Sequence, residues 1–143
     1  RVHMKEAKEA KANFNVELNE KDKANAERAL QVEISNAAFY FCAAKKTDDP
    51  EGKLLFKALG KVEAEHASIW KKILKLDKIT EGSDACHVAN KENLQESHDR
   101  ETSAIEFYKQ AAKDSENQRV KLIFEALVEV ETDHLKLSEE RLK

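Results

Sequence analysis

The 143-residue sequence has few residues that break helices or cross-link chains: three glycines, one proline and two cysteines. Ala, Leu, Glu and Lys dominate instead, which is typical of an all-helical domain. No apolar stretch is long enough to span a membrane and no signal-peptide pattern opens the chain, so we expect a cytoplasmic protein. Cys42 and Cys86 lie far apart and form no CxxC pair, which indicates neither a zinc ribbon nor a disulfide framework.

A strong charge of one sign is also missing. The 25 basic and 28 acidic residues leave a net charge of −3, with no basic block for nucleic acid and no acidic tail. The opening Arg-Val-His-Met is typical of a cloning remnant, so we expect Met4 to be the native start and His3 to have no function. We divide the chain into an N-terminal extension, residues 1–18, and one domain, residues 19–143.

The clearest feature that is present is an internal duplication. Positions 33–66 align with 101–134 without a gap, at an offset of 68, with 15 identities in 34 positions. Chance would give roughly two identities. Two copies are too few for a solenoid, so we predict a fused pair of equivalent halves.

Each half is predicted to be an antiparallel helical hairpin, because apolar residues recur at helical spacing and the hairpin turns are short. Asp49 and Pro50 provide a start for the second helix, and Ser115 with Gln118 forms a predicted capping box before the fourth. The predicted helices span about residues 19–46, 50–76, 90–113 and 116–142.

The segment between the halves, residues 77–89, has no sustained periodicity. Fully extended, it would reach roughly 40 Å, which is about the length of a 25-residue helix. Such a link can cross from one end of a bundle to the other. The sequence therefore predicts an all-α, ferritin-like four-helix bundle of two duplicated hairpins joined by a long crossover.

Both halves carry the same Glu-x-x-His pair, at the end of "VEAEH" and of "VEVETDH". This spacing puts both side chains on one helix face, one turn apart, and each pair follows an apolar stripe on the buried side. The other two helices each contribute a glutamate 30 residues before the paired one. The repeat thus yields two sets of candidate metal ligands: Glu33, Glu63 and His66, and Glu101, Glu131 and His134.

The charge balance of these residues favours a metal site. Four carboxylates buried together without cations would cost several kcal/mol each, or would take up protons. Two divalent ions would neutralise them, and carboxylates with imidazoles suit iron or manganese, with zinc also possible. Di-iron carboxylate bundles use this ligand set. The alternative is a metal-free bundle with surface acid–histidine pairs, which must explain each of the six positions separately.

With this duplicated ligand set, residues 20–142 resemble the rubrerythrin branch of the ferritin-like superfamily. The resemblance implies two non-haem iron ions bridged by Glu63 and Glu131. Glu33 and His66 would complete one site, and their counterparts in the second half would complete the other. Known members reduce hydrogen peroxide to water.

The resemblance also implies a role for Tyr40 and Tyr108, each seven residues after a lone glutamate and therefore on its face of the helix. Each phenol is expected to hydrogen-bond a ligand carboxylate on the opposite helix. The alternative is a core tyrosine whose hydroxyl has found another partner.

The sequence departs from typical members in three respects. It contains no four-cysteine rubredoxin-like domain, so electrons would have to come from a separate donor such as rubredoxin. Ala104 stands where the family has a further glutamate that supports a redox-linked iron shift, so we predict near-symmetric coordination with little metal movement. The ligand set also resembles bacterioferritin, but there is no fifth helix and Met4 is poorly placed to bind haem.

His98 lies one turn before Glu101 and could support a ligand or supplement it. Its counterpart in the first half is Leu30, so we interpret it as a partly buried helix histidine. Four other residues are interpreted as loop or core residues: His87 and Cys86 in the crossover, Trp70 in the core, and Cys42 as a small buried hydrophobe.

We therefore expect an oxidoreductase, a di-iron peroxidase that acts on hydrogen peroxide or dioxygen in oxidative-stress defence. The alternatives are a ferroxidase or iron-handling protein, and a non-catalytic helical interaction module with vestigial ligands. Hairpins joined by a long crossover can exchange between chains, so we expect a homodimer, with domain swapping as a variant. No nucleic-acid or membrane partner is expected.

Overall fold

The computed structural model describes residues 17–143, and the expectations for His3 and Met4 lie outside this range. Within it the chain forms four α-helices and no strand. The predicted all-α, ferritin-like four-helix bundle is confirmed. The helices are α1 (Glu20–Lys46), α2 (Pro50–Ile73), α3 (Asn90–Asp114) and α4 (Gln118–Leu142).

The helices of the first hairpin begin at side-chain caps. Asn19 accepts a hydrogen bond from a backbone N–H in the first turn of α1, and Asp49 does the same for α2. Such caps satisfy N–H groups that have no partner within the helix. Helix α2 ends about three residues earlier than predicted, because Lys75 adopts a left-handed φ of 58° that does not continue a helix.

The predicted capping box before α4 is wrong. Asn117 caps this helix, and its side chain accepts hydrogen bonds from two backbone N–H groups of the first turn. Ser115 instead ends α3, where its hydroxyl donates to the Ala111 carbonyl at 2.6 Å. The turn is therefore two residues longer than a Ser115 cap would allow.

Contacts at both ends of the bundle set the direction of the two hairpins. Asp22, at the start of α1, accepts hydrogen bonds from the backbone of Glu116 and Asn117, in the turn after α3. Thr47, at the end of α1, donates to Asn90 at the start of α3 at 2.7 Å. Helices α1 and α3 therefore run antiparallel to each other.

The crossover between α2 and α3 returns along α1. Ser35 donates to Asp84 at 2.8 Å, and Arg100 of α3 donates to the same carboxylate at 2.8 Å. Further along the crossover, Cys86 forms a disulfide with Cys42 of α1, with Cα atoms 5.9 Å apart. The crossover is thus fixed to α1 by an ion-pair network and by a covalent bond.

This disulfide corrects three predictions: the absence of a disulfide framework, Cys42 as a small buried hydrophobe and Cys86 as an unbonded loop residue. The return of the crossover along α1 brings together residues 44 positions apart, which spacing alone does not show. Disulfides persist mainly in oxidising compartments, so this bond gives no support to the cytoplasmic location, which stays a prediction. No helix among residues 17–143 has the length and apolar character to cross a membrane.

The bundle interior has an apolar cluster towards each end. One contains Trp70 and Phe124 and lies between the end of α2 and the start of α4. The other contains Phe39 and Phe56 and lies between the end of α1 and the start of α2. A layer of buried charged side chains separates the two clusters in the middle of the bundle.

Candidate metal centre

The six residues predicted as ligands converge in this charged layer. Each glutamate is at most 1% exposed, and the two histidines are at most 8% exposed. Each helix contributes from its buried face, because the helical period places Glu and His of each Glu-x-x-His pair on one side. They form two overlapping groups, each within 4.8 Å: Glu33, Glu63, His66 and Glu131, and Glu101, Glu131 and His134.

The imidazole of His66 faces three carboxylates. Its Nδ1 lies 3.4 Å from Glu33 Oε2, 3.7 Å from Glu63 Oε2 and 4.0 Å from Glu131 Oε1. One of these glutamates comes from each of α1, α2 and α4. The first lone glutamate and the first histidine are therefore neighbours.

The imidazole of His134 faces a second set of three carboxylates. Its Nδ1 lies 3.5 Å from Glu63 Oε1, 3.7 Å from Glu131 Oε1 and 3.8 Å from Glu101 Oε2. Glu63 and Glu131 thus approach both imidazoles, whereas each lone glutamate approaches one. This is the geometry that two shared and two unshared carboxylate ligands require.

The carboxylates present oxygen atoms that the protein itself leaves unsatisfied. Nearly all buried polar atoms are hydrogen-bonded in folded proteins. Here both oxygens of Glu63, both of Glu131 and one each of Glu33 and Glu101 are buried without a hydrogen bond, as is Nδ1 of His66. Oxygen and imidazole donors of this kind bind iron, manganese or zinc. The residues present therefore fit a pair of divalent cations.

The pKa values of the carboxyl groups also indicate that the cluster lacks positive charge. Burial, with repulsion from Glu33, raises the pKa of Glu63 well above its usual value. Burial, with repulsion from Glu63, does the same to the pKa of Glu131. Burial also raises the pKa of Glu101 to about 7. Without cations, these three carboxyl groups therefore hold protons far more readily than exposed glutamates do.

The first lone glutamate behaves differently. Burial opposes ionisation of Glu33, but the adjacent Glu63 carboxyl group and the nearby His66 imidazole outweigh it and lower the pKa of Glu33. Burial likewise opposes the charging of His66, yet the carboxylate of Glu33 raises the pKa of this imidazole. Without cations, each of Glu33 and His66 therefore favours the charged form of the other.

The two tyrosines reach the lone glutamates by different routes. Tyr108 donates a hydrogen bond directly to Oε1 of Glu33 on α1. The hydroxyl of Tyr40 lies 2.9 Å from the Ser97 hydroxyl, which donates to Glu101 Oε1 at 3.2 Å. The resemblance implied a direct bond from each phenol; for Tyr40, Ser97 lies in between. Burial, reinforced by the surrounding carboxylates, raises the pKa of both phenols well above 10, so both stay protonated.

Two serines next to the centre were not identified from the sequence. Ser97 and Ser138 are both buried, and Ser138 donates to Glu101 Oε1 at 3.1 Å. Their counterparts in the first half are Ala29 and Trp70, so the duplication gave no indication of them. Their spacing could have indicated them, because each lies four residues from a candidate ligand and therefore on the ligand face of its helix.

The other candidates lie outside the cluster. His98 is 31% exposed in its side chain, and its Nε2 lies 3.9 Å from Glu139, so it is a partly buried helix histidine. His87 contacts Glu96 at 2.9 Å in an ion-pair network on the bundle surface. Trp70 is fully buried, with its ring centroid 4.7 Å from that of Phe124, and fills the core.

Comparison with known proteins gives one match. The family model described as rubrerythrin matches residues 24–142, a range that includes all four helices except the first residues of α1 and contains all six candidate ligands. Neither the curated proteins nor the solved structures give a match. The family match covers well over half of the sequence. The chain therefore belongs to the rubrerythrin family.

Proposed function

We propose that this protein is a non-haem di-iron oxidoreductase that reduces hydrogen peroxide to water. The observation that carries the proposal is the buried set of four glutamates and two histidines, whose inward-facing oxygens make no hydrogen bonds. Family membership supports a di-iron oxidoreductase in general. The choice of iron over manganese or zinc, and of peroxide as substrate, is part of the proposal.

The ligands have distinct roles in this proposal. Glu63 and Glu131 would each hold both ions, because each approaches both imidazoles within 4.0 Å. Glu33 with His66 would complete one position, and the matching pair of the second hairpin would complete the other. When bound, two ferrous ions supply the two electrons that cleave the O–O bond.

The surrounding side chains hold ligands and protons in place. Tyr108 occupies Oε1 of Glu33 and leaves Oε2 directed at the cluster. The two hydroxyls of Tyr40 and Ser97 form a chain that ends on Glu101 and holds a proton on its Oε1 side. Reduction of one peroxide to two waters takes up two protons and two electrons.

A separate protein completes the proposed cycle. We propose an external one-electron donor such as rubredoxin, because each peroxide reduced oxidises the centre, and two electrons have to return before the next turnover. We further propose a homodimer, with exchange of hairpins through the crossover as a variant. Light scattering tests this assembly: a 24-subunit shell would instead favour iron storage.

Turnover with iron-loaded protein tests the reaction itself. Protein made under native conditions should contain two iron ions per chain and should consume peroxide when reduced rubredoxin is supplied, with the iron still bound afterwards. Glu63→Ala is the matched inactive control. Release of oxidised iron without sustained peroxide consumption would favour a ferroxidase, and absence of bound metal would favour a non-catalytic helical module.

A further inference from the structure

An apolar groove of about 1080 Å³ lies on the outer face of the first hairpin. Helices α1 and α2 form its floor, and the crossover forms one wall. Two large apolar side chains are exposed there, Leu54 at 73% and Phe41 at 37%. The Phe41 ring lies against Gly60, where an added Cβ would come within 2.9 Å of the ring. Surfaces of this kind mark binding sites in soluble proteins.

The groove lies directly behind the turns that carry the metal ligands. Its lining includes Ile34, Ala64 and Ala67, which follow Glu33, Glu63 and His66 in the sequence. A molecule bound in the groove is therefore separated from the candidate metal centre by one layer of helices. Electron transfer slows steeply with distance, so a carrier bound in this groove would be close enough to favour electron transfer to the candidate centre.

The rim of the groove is cationic on the hairpin side. Lys45, Lys53 and Lys57 are exposed and form no ion pair among residues 17–143. The crossover side contributes two acidic residues, exposed Glu81 and Asp84, which pairs with Arg100 at 2.8 Å. The three lysines therefore outnumber the one carboxylate of the lining that Arg100 does not neutralise. A local cluster of unpaired lysines on a chain of net charge −3 favours an anionic partner.

The second hairpin carries the same candidate ligands, but its sequence differs at several positions of the groove. The groove positions Ile34, Ala38, Phe41 and Lys57 correspond, at the offset of 68, to polar or oppositely charged residues: Thr102, Glu106, Lys109 and Glu125. Two of the rim lysines do recur, because Lys45 and Lys53 correspond to Lys113 and Lys121. The apolar residues Ile34, Ala38 and Phe41, together with Lys57, therefore distinguish the first hairpin from the second.

We propose that this groove is the docking site of the electron donor, a small acidic one-electron carrier protein with an apolar contact surface. The inference rests on the proposed peroxidase function. Each peroxide takes two electrons and two protons to give two waters, so two carrier molecules dock and leave in each cycle. A second copy of this chain fits less well, because a two-fold interface would place these lysines against themselves.

Binding to the metal-free protein tests the surface without any turnover. The probe is an acidic rubredoxin with zinc in place of iron, which cannot transfer electrons, and calorimetry at low ionic strength gives Kd. Lys53→Glu with Lys57→Glu should weaken binding at least tenfold, and added salt should weaken wild-type binding. The matched control is Lys109→Glu with Lys113→Glu on the outer face of α3, which should change Kd less than twofold.

The outcomes separate this inference from the function on which it rests. Equal weakening by both charge reversals, or by neither, would overturn the docking site, as would loss of wild-type self-association in the groove variant. Peroxide turnover driven by a small chemical reductant should be unchanged in the groove variant. If the wild-type protein shows no such turnover, the proposed function fails, whereas the measured Kd values still decide whether the groove binds the probe.

Discussion

The two hairpins supply the same three candidate ligands in the same order, yet they surround their lone glutamates differently. Glu33 accepts a hydrogen bond from Tyr108, which belongs to the other hairpin. Glu101 accepts two hydrogen bonds from its own hairpin, from Ser97 and Ser138. The pKa of Glu33 is lowered, whereas burial raises that of Glu101 to about 7.

This difference shows which residues of the candidate metal centre are repeated in both halves and which surrounding residues vary. The candidate ligands repeat in both halves, but the two serines do not, because Ala29 and Trp70 occupy the equivalent positions of the first half. Near-symmetric coordination stays a prediction, and Ala104, which is 3% exposed, adds no carboxylate to either side. The hydrogen bonds around the two lone glutamates are nevertheless unequal, so the two candidate metal positions have different neighbours.

Removing a shared ligand should have the largest effect, because Glu63 and Glu131 approach both imidazoles. We expect Glu63→Ala or Glu131→Ala to lose metal from both positions. Glu33→Ala, which removes a ligand of one half alone, should retain about one ion per chain if each position binds independently. Metal analysis after anaerobic loading and gel filtration measures the content. Full metal content in both shared-ligand variants would refute the bridging assignment.

The disulfide should give the next largest effect, and it joins the first hairpin, through α1, to the crossover. Cys42 and Cys86 close a loop of 44 residues, for which chain entropy gives about 4 kcal/mol of stabilisation. Cys42→Ser with Cys86→Ser should lower the free energy of unfolding by up to that amount in urea titrations. The control is Gln110→Ser, at the position equivalent to Cys42, which should change it little. Unfolding of the wild type that is insensitive to reductant would contradict this prediction.

The metal-free protein should lose stability as the pH rises. Burial raises the folded pKa of Glu101 from 4.5 to about 7, so its contribution is full below pH 4.5 and disappears as pH passes through 7. That shift corresponds to about 3 kcal/mol. The raised pKa values of Glu63 and Glu131 act in the same direction, and the lowered pKa of Glu33 acts against them.

Urea unfolding of metal-free protein at about pH 5 and about pH 8 measures this dependence. Metal-loaded protein is the control, and it should show the opposite trend because protons compete with metal for the carboxylates. Equal stability of the metal-free protein at the two pH values would show that the carboxylates do not share one buried site.

The sequence predicted the helices and the six converging residues because both depend on local periodicity and on the repeat. Apolar spacing defines a buried helix face, and the duplication reveals which polar residues on that face recur. The disulfide and the link from Tyr40 through Ser97 depend instead on how separate helices approach each other. Neither is encoded in spacing along one helix, and neither recurs in the other half.

The predicted cap of α4 was wrong for a different reason. Ser115 and Gln118 satisfy the capping-box pattern, but Asn117 is an equally good cap two residues later. The backbone N–H groups of Glu116 and Asn117 are held by Asp22 of α1, which fixes the turn in place. A tertiary contact thus decided between two local signals of similar strength.

The smallest expected effect is a shift in the pKa of Glu101. It tests most directly whether the two lone glutamates differ because their hydrogen bonds differ. Ser138→Ala removes one of the two hydroxyls that donate to Glu101, and a hydrogen bond from this serine lowers the pKa of that carboxyl. The same hydroxyl can also donate to the Leu135 carbonyl at 3.0 Å, so its net value is about 1 kcal/mol. The pKa of Glu101 in metal-free protein should therefore rise by less than about one unit.

Carbon-13 NMR of the glutamate carboxyl groups, followed through a pH titration, measures the shift of each residue. Ser138→Ala should move Glu101 and leave Glu33 unchanged, whereas Tyr108→Phe should raise the pKa of Glu33, because the phenol donates to that carboxylate. Ser115→Ala, which removes a buried hydroxyl bonded to the α3 backbone, should move neither. If Ser138→Ala shifted both glutamates equally, the carboxylates would titrate as one coupled group, and the unequal hydrogen bonds would not distinguish the two metal positions.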